Sequence, residues 1–97
     1  MATFVVLAKY TQQGITNIKD SPKRLDAYKR AAQQAGATVK GFYLTLGAYD
    51  IVLVLEAQDD ETAARLSIAT AALGNVSTQT LRAFNEEEFR KLIASLP

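Results

Sequence analysis

Chemistry in this chain falls to carboxylates, phenols, hydroxyls, lysines and arginines, because its 97 residues include no histidine and no cysteine. A thiol nucleophile, a Ser–His or Cys–His pair, a zinc site built on those residues and a disulfide are all excluded. What remains gathers around one short stretch. Tyr43, Thr45, Tyr49 and Asp50 set two phenols, a hydroxyl and a carboxylate beside a glycine turn at Gly47-Ala48. Asp50 could serve as a general base if a cavity encloses it, or it could bond backbone N–H groups at the turn. Glu56 reads as a solvated strand end. Tyrosines, Tyr10 and Tyr28 among them, offer an aromatic wall with one hydrogen-bonding end, and that suits a ligand site, a core or an interface. Arg24 lies inside the apolar stripe of a predicted helix. It reads either as a clamp for an anionic ligand or as a side chain that snorkels from the first turn. Lys9 reads as a strand-end lysine, and the lone Gly14 falls far short of a phosphate-binding loop. The ligand-binding candidates are therefore Tyr43, Thr45, Tyr49, Asp50 and Arg24. No residue is assigned as catalytic, and no metal site or cofactor is expected.

The elements that must position these residues follow from periodicity. A continuous apolar, β-branched run predicts a strand over Thr3–Tyr10. Ile15 and Ile18 suggest a short helical turn in the connection after it. Ser21-Pro22 reads as an N-cap followed by proline at the first helical position. From there Leu25, Tyr28, Ala31, Ala32 and Ala35 share one helical face, and Gly36 ends the helix. Val39–Leu46 and Asp50–Glu56 predict two strands joined by a two-residue type II′ turn. That register pairs Thr45 with Asp50, Leu44 with Ile51, Tyr43 with Val52, Phe42 with Leu53 and Val39 with Glu56. One face of the hairpin then carries Phe42, Leu44, Ile51, Leu53 and Leu55. The other carries Val39, Gly41, Tyr43, Thr45, Asp50, Val52, Val54 and Glu56. A one-residue bulge would reverse that sorting for one strand. Asp59-Asp60-Glu61 starts a second long helix that runs to about Leu73 before Gly74-Asn75. Its main face is Ala63, Leu66, Ala69 and Leu73, with a second strip of Ala64, Ile68, Ala71 and Ala72. Val76–Phe84, rich in Ser and Thr, reads as an edge strand. Asn85 and Glu88 make a capping box for a last helix, with Phe84 stapled to Phe89 and a narrow stripe of Phe89, Leu92, Ile93 and Leu96.

The order βαββαβ plus a terminal helix predicts an α+β, ferredoxin-like sandwich in one domain over residues 1–97. Near-continuous apolar runs make the first and third strands central; Lys, Thr, Ser and Gln mark the second and fourth as edges. Helices cover one face of such a sheet only, so the second apolar face needs a partner. A second copy, sheet against sheet, is the simplest one. A homodimer is expected, and the extra strip on the second long helix hints at a higher oligomer. The formal net charge of +1, from 11 Lys and Arg against 10 Asp and Glu, makes no case for nucleic acid. The basic cluster around Lys23 and Lys29 is interrupted by Asp20 and Asp26 and reads as a solvated helix face. The N-terminus has no signal-peptide pattern, and no apolar stretch approaches the roughly 18 residues of a spanning helix. No membrane association is expected, and a cytoplasmic location is.

The stretch from Gly41 to Glu56, with Gly47, Tyr49 and Asp50 as a Gly-x-Tyr-Asp motif, resembles the GYD domain family. Thr11, Gly14, Lys19, Pro22 and Arg24 upstream, and Asp59-Asp60-Glu61 and Gly74-Asn75-Val76 downstream, extend that resemblance over nearly the whole chain. It implies a dimeric α/β barrel and no particular activity. The hairpin is also similar to the ligand-binding domain of leucine-responsive regulators, which bind small effectors between subunits. No helix-turn-helix precedes the first strand here, so DNA binding does not carry over. Related barrels include cofactor-free oxygenases, isomerases and haem enzymes, so fold alone leaves function open.

Whether the chain is an enzyme stays open at this point. The first reading is a small-ligand-binding or sensory module with a cavity near the sheet interface of a dimer, where Tyr43, Thr45 and Asp50 form a polar minority. The second is a cofactor-independent isomerase or oxygenase using Asp50 or a tyrosine as acid–base. The third is a purely structural oligomer.

Overall fold

A computed structural model describes residues 1–97. The chain runs β1 (Ala2–Tyr10), α1 (Gln12–Thr16), a 3₁₀ turn (Ile18–Asp20), α2 (Ser21–Gln34), β2 (Thr38–Leu44), β3 (Ile51–Ala57), α3 (Asp60–Ala72), β4 (Val76–Ala83) and α4 (Glu86–Ala94). The strands form one antiparallel sheet in the order β2-β3-β1-β4. This is the α+β, ferredoxin-like arrangement that the pattern predicts, with the apolar strands central and the polar ones at the edges. Alternation then sorts β1 and β3. Phe4, Val6 and Ala8, with Ile51, Leu53, Leu55 and Ala57, are buried on one face. The buried helix residues Ala32, Ala63 and Leu66 join them in a single core.

The other face carries Val5 and Leu7 of β1, paired across the sheet with Val54 and Val52 of β3. All four are only half-buried. The terminal helix does not cover them. Asn85 and Glu88 form the predicted capping box, with Asn85 Oδ1 accepting the Glu88 N–H at 2.8 Å and Glu88 Oε1 accepting the Asn85 N–H at 3.0 Å. Arg90 adds an ion pair to Glu86 at 2.7 Å. α4 has no extensive packing against any other element, and Phe89, Leu92, Ile93 and Leu96 are all about half exposed or more. No helix of the chain is long and apolar enough to cross a membrane.

Three local expectations are corrected. The hairpin keeps the predicted pairs Leu44–Ile51, Tyr43–Val52 and Phe42–Leu53, but a bulge lies between Val39 and Gly41. Val39 therefore faces Leu55 rather than Glu56, and it packs against the core instead of the open face. One extra residue, Lys40, flips the side-chain parity of everything before it. The turn is also wider than two residues. Thr45 donates its N–H to the Asp50 carbonyl at 2.8 Å, leaving Leu46–Tyr49 as the loop. The cause is β1, because Asp50 gives its own N–H to the Ala8 carbonyl at 2.9 Å and is drawn away from a tight hairpin. Gly47, at φ +119°, takes the backbone conformation that L side chains rarely adopt. Finally, Ser21 does not cap α2. The 3₁₀ turn leads straight into the helix, and the Ser21 hydroxyl lies 2.9 Å from the Tyr10 hydroxyl. The second helical cap is as predicted. Asp59 Oδ1 accepts from the Thr62 hydroxyl at 2.7 Å and from the Thr62 N–H at 2.8 Å, and these bonds hold its carboxyl below the usual carboxylate value.

Candidate functional site

Alanine decides where this molecule has room. Ala27 and Ala31 of α2 and Ala69 of α3 line the gap between the helices and the sheet, and all three stay exposed, so the space opens to solvent. They leave a cavity of about 380 Å³ between the two helices and the sheet, at the small end of the range for ligand pockets, about 300–1,000 Å³. Its floor is Val6, Ala8, Phe42, Ile51 and Leu53, and its roof is formed by Leu25, Tyr28 and Leu66 beside the alanines. Fourteen of the twenty residues around it are hydrophobic, and none is Asp, Glu or Lys.

The polar groups of the wall largely satisfy one another. Tyr10 and Ser21 share a hydrogen bond. Ser67 Oγ lies 2.9 Å from Thr80 Oγ1, and Thr70 Oγ1 donates to the Leu66 carbonyl at 2.7 Å. Tyr28 differs. Burial alone pushes its phenol up to about 12, with no hydrogen bond or charge contributing. At neutral pH it is a proton donor and cannot act as a base.

One end of the cavity is built by a knot of chain contacts. Thr11 donates its N–H to the Asn75 carbonyl at 3.1 Å and its hydroxyl to the Gly74 carbonyl at 2.6 Å. Gln13 Nε2 reaches the Leu73 carbonyl at 3.1 Å and Asn75 Oδ1 at 3.0 Å. Gly14 lies so close to this turn that a Cβ there would sit 2.0 Å from the Asn75 carbonyl oxygen. Arg24 closes the knot from α2, donating to the carbonyls of Asn17 at 3.1 Å and Gly14 at 3.3 Å. On the other side of β1, Asp50 Oδ2 accepts the Tyr10 N–H at 2.9 Å. Thr11, Gly14, Arg24, Gly74 and Asn75 thus meet in one knot at the end of β1, and Asp50 holds the same strand end from the other side.

The candidate residues fall into two groups. Only Arg24 lines the cavity, and its partners are backbone carbonyls rather than a carboxylate. Asp50 ties down the end of β1. Thr45 donates its hydroxyl to the Tyr49 carbonyl at 2.6 Å. Tyr49 reaches over the open sheet face, donating its hydroxyl to Gln79 at 2.6 Å beneath the Lys9 ammonium, 5.3 Å from the ring centre. Tyr43 is 60% exposed on that face, its ring against Gly41. The sequence expectation places a cavity on the Tyr43 side of the sheet; the roomy space is on the opposite side. No three carboxylates come together as metal ligands. Sequence reasoning missed Ser67 and Thr70 as wall residues, and it offered Tyr10 and Tyr28 as aromatic walls without choosing either as a site candidate. The available signal was a tyrosine set among alanines on a helical stripe.

Comparison with known proteins places these features. The GYD domain family model matches residues 4–93. A Thermus thermophilus protein named "Glutamine synthetase and cystathionine beta-lyase binding protein" is 37% identical over 84 residues, covering 86% of this chain and 88% of that protein. Among solved structures, a Thermus thermophilus chain aligns with a TM-score of 0.56 at 25% identity, over 88% of this chain and 95% of that one. The 5-chloro-2-hydroxyhydroquinone dehydrochlorinase of Burkholderia phenoliruptrix, in complex with 2,5-dihydroxybenzoquinone, aligns with a TM-score of 0.61 over 90% and 97% of the two chains. At 15% identity that likeness is one of fold. With the family match spanning nearly its whole length and the Gly47, Tyr49 and Asp50 motif at the end of β1, this chain belongs to the GYD domain family.

Proposed function

We propose that this chain is a binding module that takes a small molecule between its helices and its sheet and works as a homodimer. The observation that carries this reading is the apolar cavity of about 380 Å³ between the helices and the sheet, a concave, mostly hydrophobic space of the size that small-molecule sites have. No carboxylate base lines the cavity, burial keeps the Tyr28 phenol protonated at neutral pH, and Asp50 is engaged with the Tyr10 backbone. The similar Thermus thermophilus protein, named for binding two enzymes, supports binding over turnover for this chain. On that model the chain docks onto a metabolic enzyme and the cavity senses a small molecule. A second copy supplies the cover for Val5, Leu7, Val52 and Val54.

Ligand-observed NMR with a library of one- and two-ring fragments tests the cavity. Fragments bind the wild-type chain and lose binding in Ala31→Trp, whose indole fills the space while the circular dichroism is unchanged. Fragment binding that survives Ala31→Trp contradicts the reading.

A further inference from the structure

A cavity can be characterised by what it offers and by what it refuses. The groups that could pair with a charged ligand are almost absent from this one. No Asp, Glu or Lys lines it, so an ammonium would leave water for an apolar wall that offers no counter-charge. The one cationic side chain is Arg24. Its Nη1 and Nη2 hold the carbonyls of Asn17 and Gly14; the Asn17 carbonyl also accepts the Asp20 N–H at 3.0 Å, so turning the guanidinium onto an anion would give up both bonds and loosen the connection between β1 and α2. The wall hydroxyls of Tyr10, Ser21, Ser67 and Thr70 are engaged within the protein. Two wall hydroxyls make no such bond, that of Thr78 and the Tyr28 phenol, and burial holds the phenol neutral. Its hydroxyl reaches solvent, since no buried side-chain polar atom is left without a partner, and it is free to donate to an acceptor on a ligand.

We infer that the cavity selects an uncharged, largely apolar molecule of one or two rings bearing a hydrogen-bond acceptor such as a carbonyl oxygen, with Tyr28 as its donor. This rests on the reading of the cavity as a ligand site. The size follows from the volume, which equals about thirteen water molecules at about 30 Å³ each. Carboxylates and phosphates of the same shape are refused, because their charge would enter a wall with no free counter-charge. The structure therefore argues against Arg24 as a clamp for an anionic ligand.

Three probes of one shape test this by calorimetric titration of the full chain and of Tyr28→Phe: acetylnaphthalene, ethylnaphthalene and naphthoate. The ketone binds the wild type, and naphthoate binds at least about tenfold more weakly. Tyr28→Phe weakens the ketone about fivefold, as expected for one hydrogen bond, and leaves ethylnaphthalene unchanged. Naphthoate binding as tightly as the ketone, or a ketone affinity indifferent to Tyr28→Phe, overturns the ligand class while the cavity stands. Failure of all three probes to bind overturns the cavity reading with it.

Discussion

Tyr28 and Asp50 show how burial and geometry assign work to residues of similar promise. The Tyr28 phenol has an ordinary value of 10.0 in the unfolded chain and about 12 in the folded one. The stability gained by keeping it neutral is fully present below pH 10 and is lost as the pH rises through about 12. Denaturant titrations across that window should therefore show a fall in stability that is smaller in Tyr28→Phe. Asp50 works through one oxygen on the Tyr10 N–H. Asp50→Asn keeps an acceptor there and should fold with nearly wild-type stability, whereas Asp50→Ala strands the N–H and should cost about 1–3 kcal/mol, read from urea midpoints. Of the two readings that the sequence allows for Asp50, the structural one matches the geometry. The Gly-x-Tyr-Asp residues were legible in the sequence because they are local. The role of Arg24 was not, since its partners are backbone carbonyls of a connection that no side-chain pattern announces.

Among the elements, legibility follows the range of the forces involved. The central strands, both long helices and the Asn85–Glu88 box depend on composition and neighbours within a few residues, and they stand where the pattern puts them. The bulge at Lys40 and the wide loop at Leu46–Tyr49 arise from pairing with other strands. The pull of Ala8 on Asp50 is invisible in the hairpin alone. The cavity belongs to the same class, because it appears only when alanines of α2 and α3 meet across the sheet. The last helix has a complete local signature and little tertiary support, which makes its cap decisive. Asn85→Ala should cost it about 1 kcal/mol, seen as faster amide exchange in Glu86–Ala94 with the sheet unaffected.

At the level of the whole molecule, the two faces of the sheet have different work. One is covered by α2 and α3 and holds both the core and the cavity. The other presents Val5, Leu7, Val52 and Val54, and α4 leaves its own apolar stripe open as well. A chain of 97 residues has a small core of its own, so association adds burial that the single copy lacks. Size-exclusion chromatography with light scattering should show a dimer at micromolar concentration, and Val54→Lys should shift it to monomer. A wild-type monomer there would remove the proposed assembly. The central claim is that ligand binds on the helix side of the sheet, away from Tyr43, Thr45 and Tyr49. Chemical-shift mapping of the isotope-labelled chain during titration with acetylnaphthalene tests it most directly. The account predicts shifts centred on Tyr28, Leu66 and Thr70; shifts confined to Tyr43, Thr45 and Val52 would contradict it.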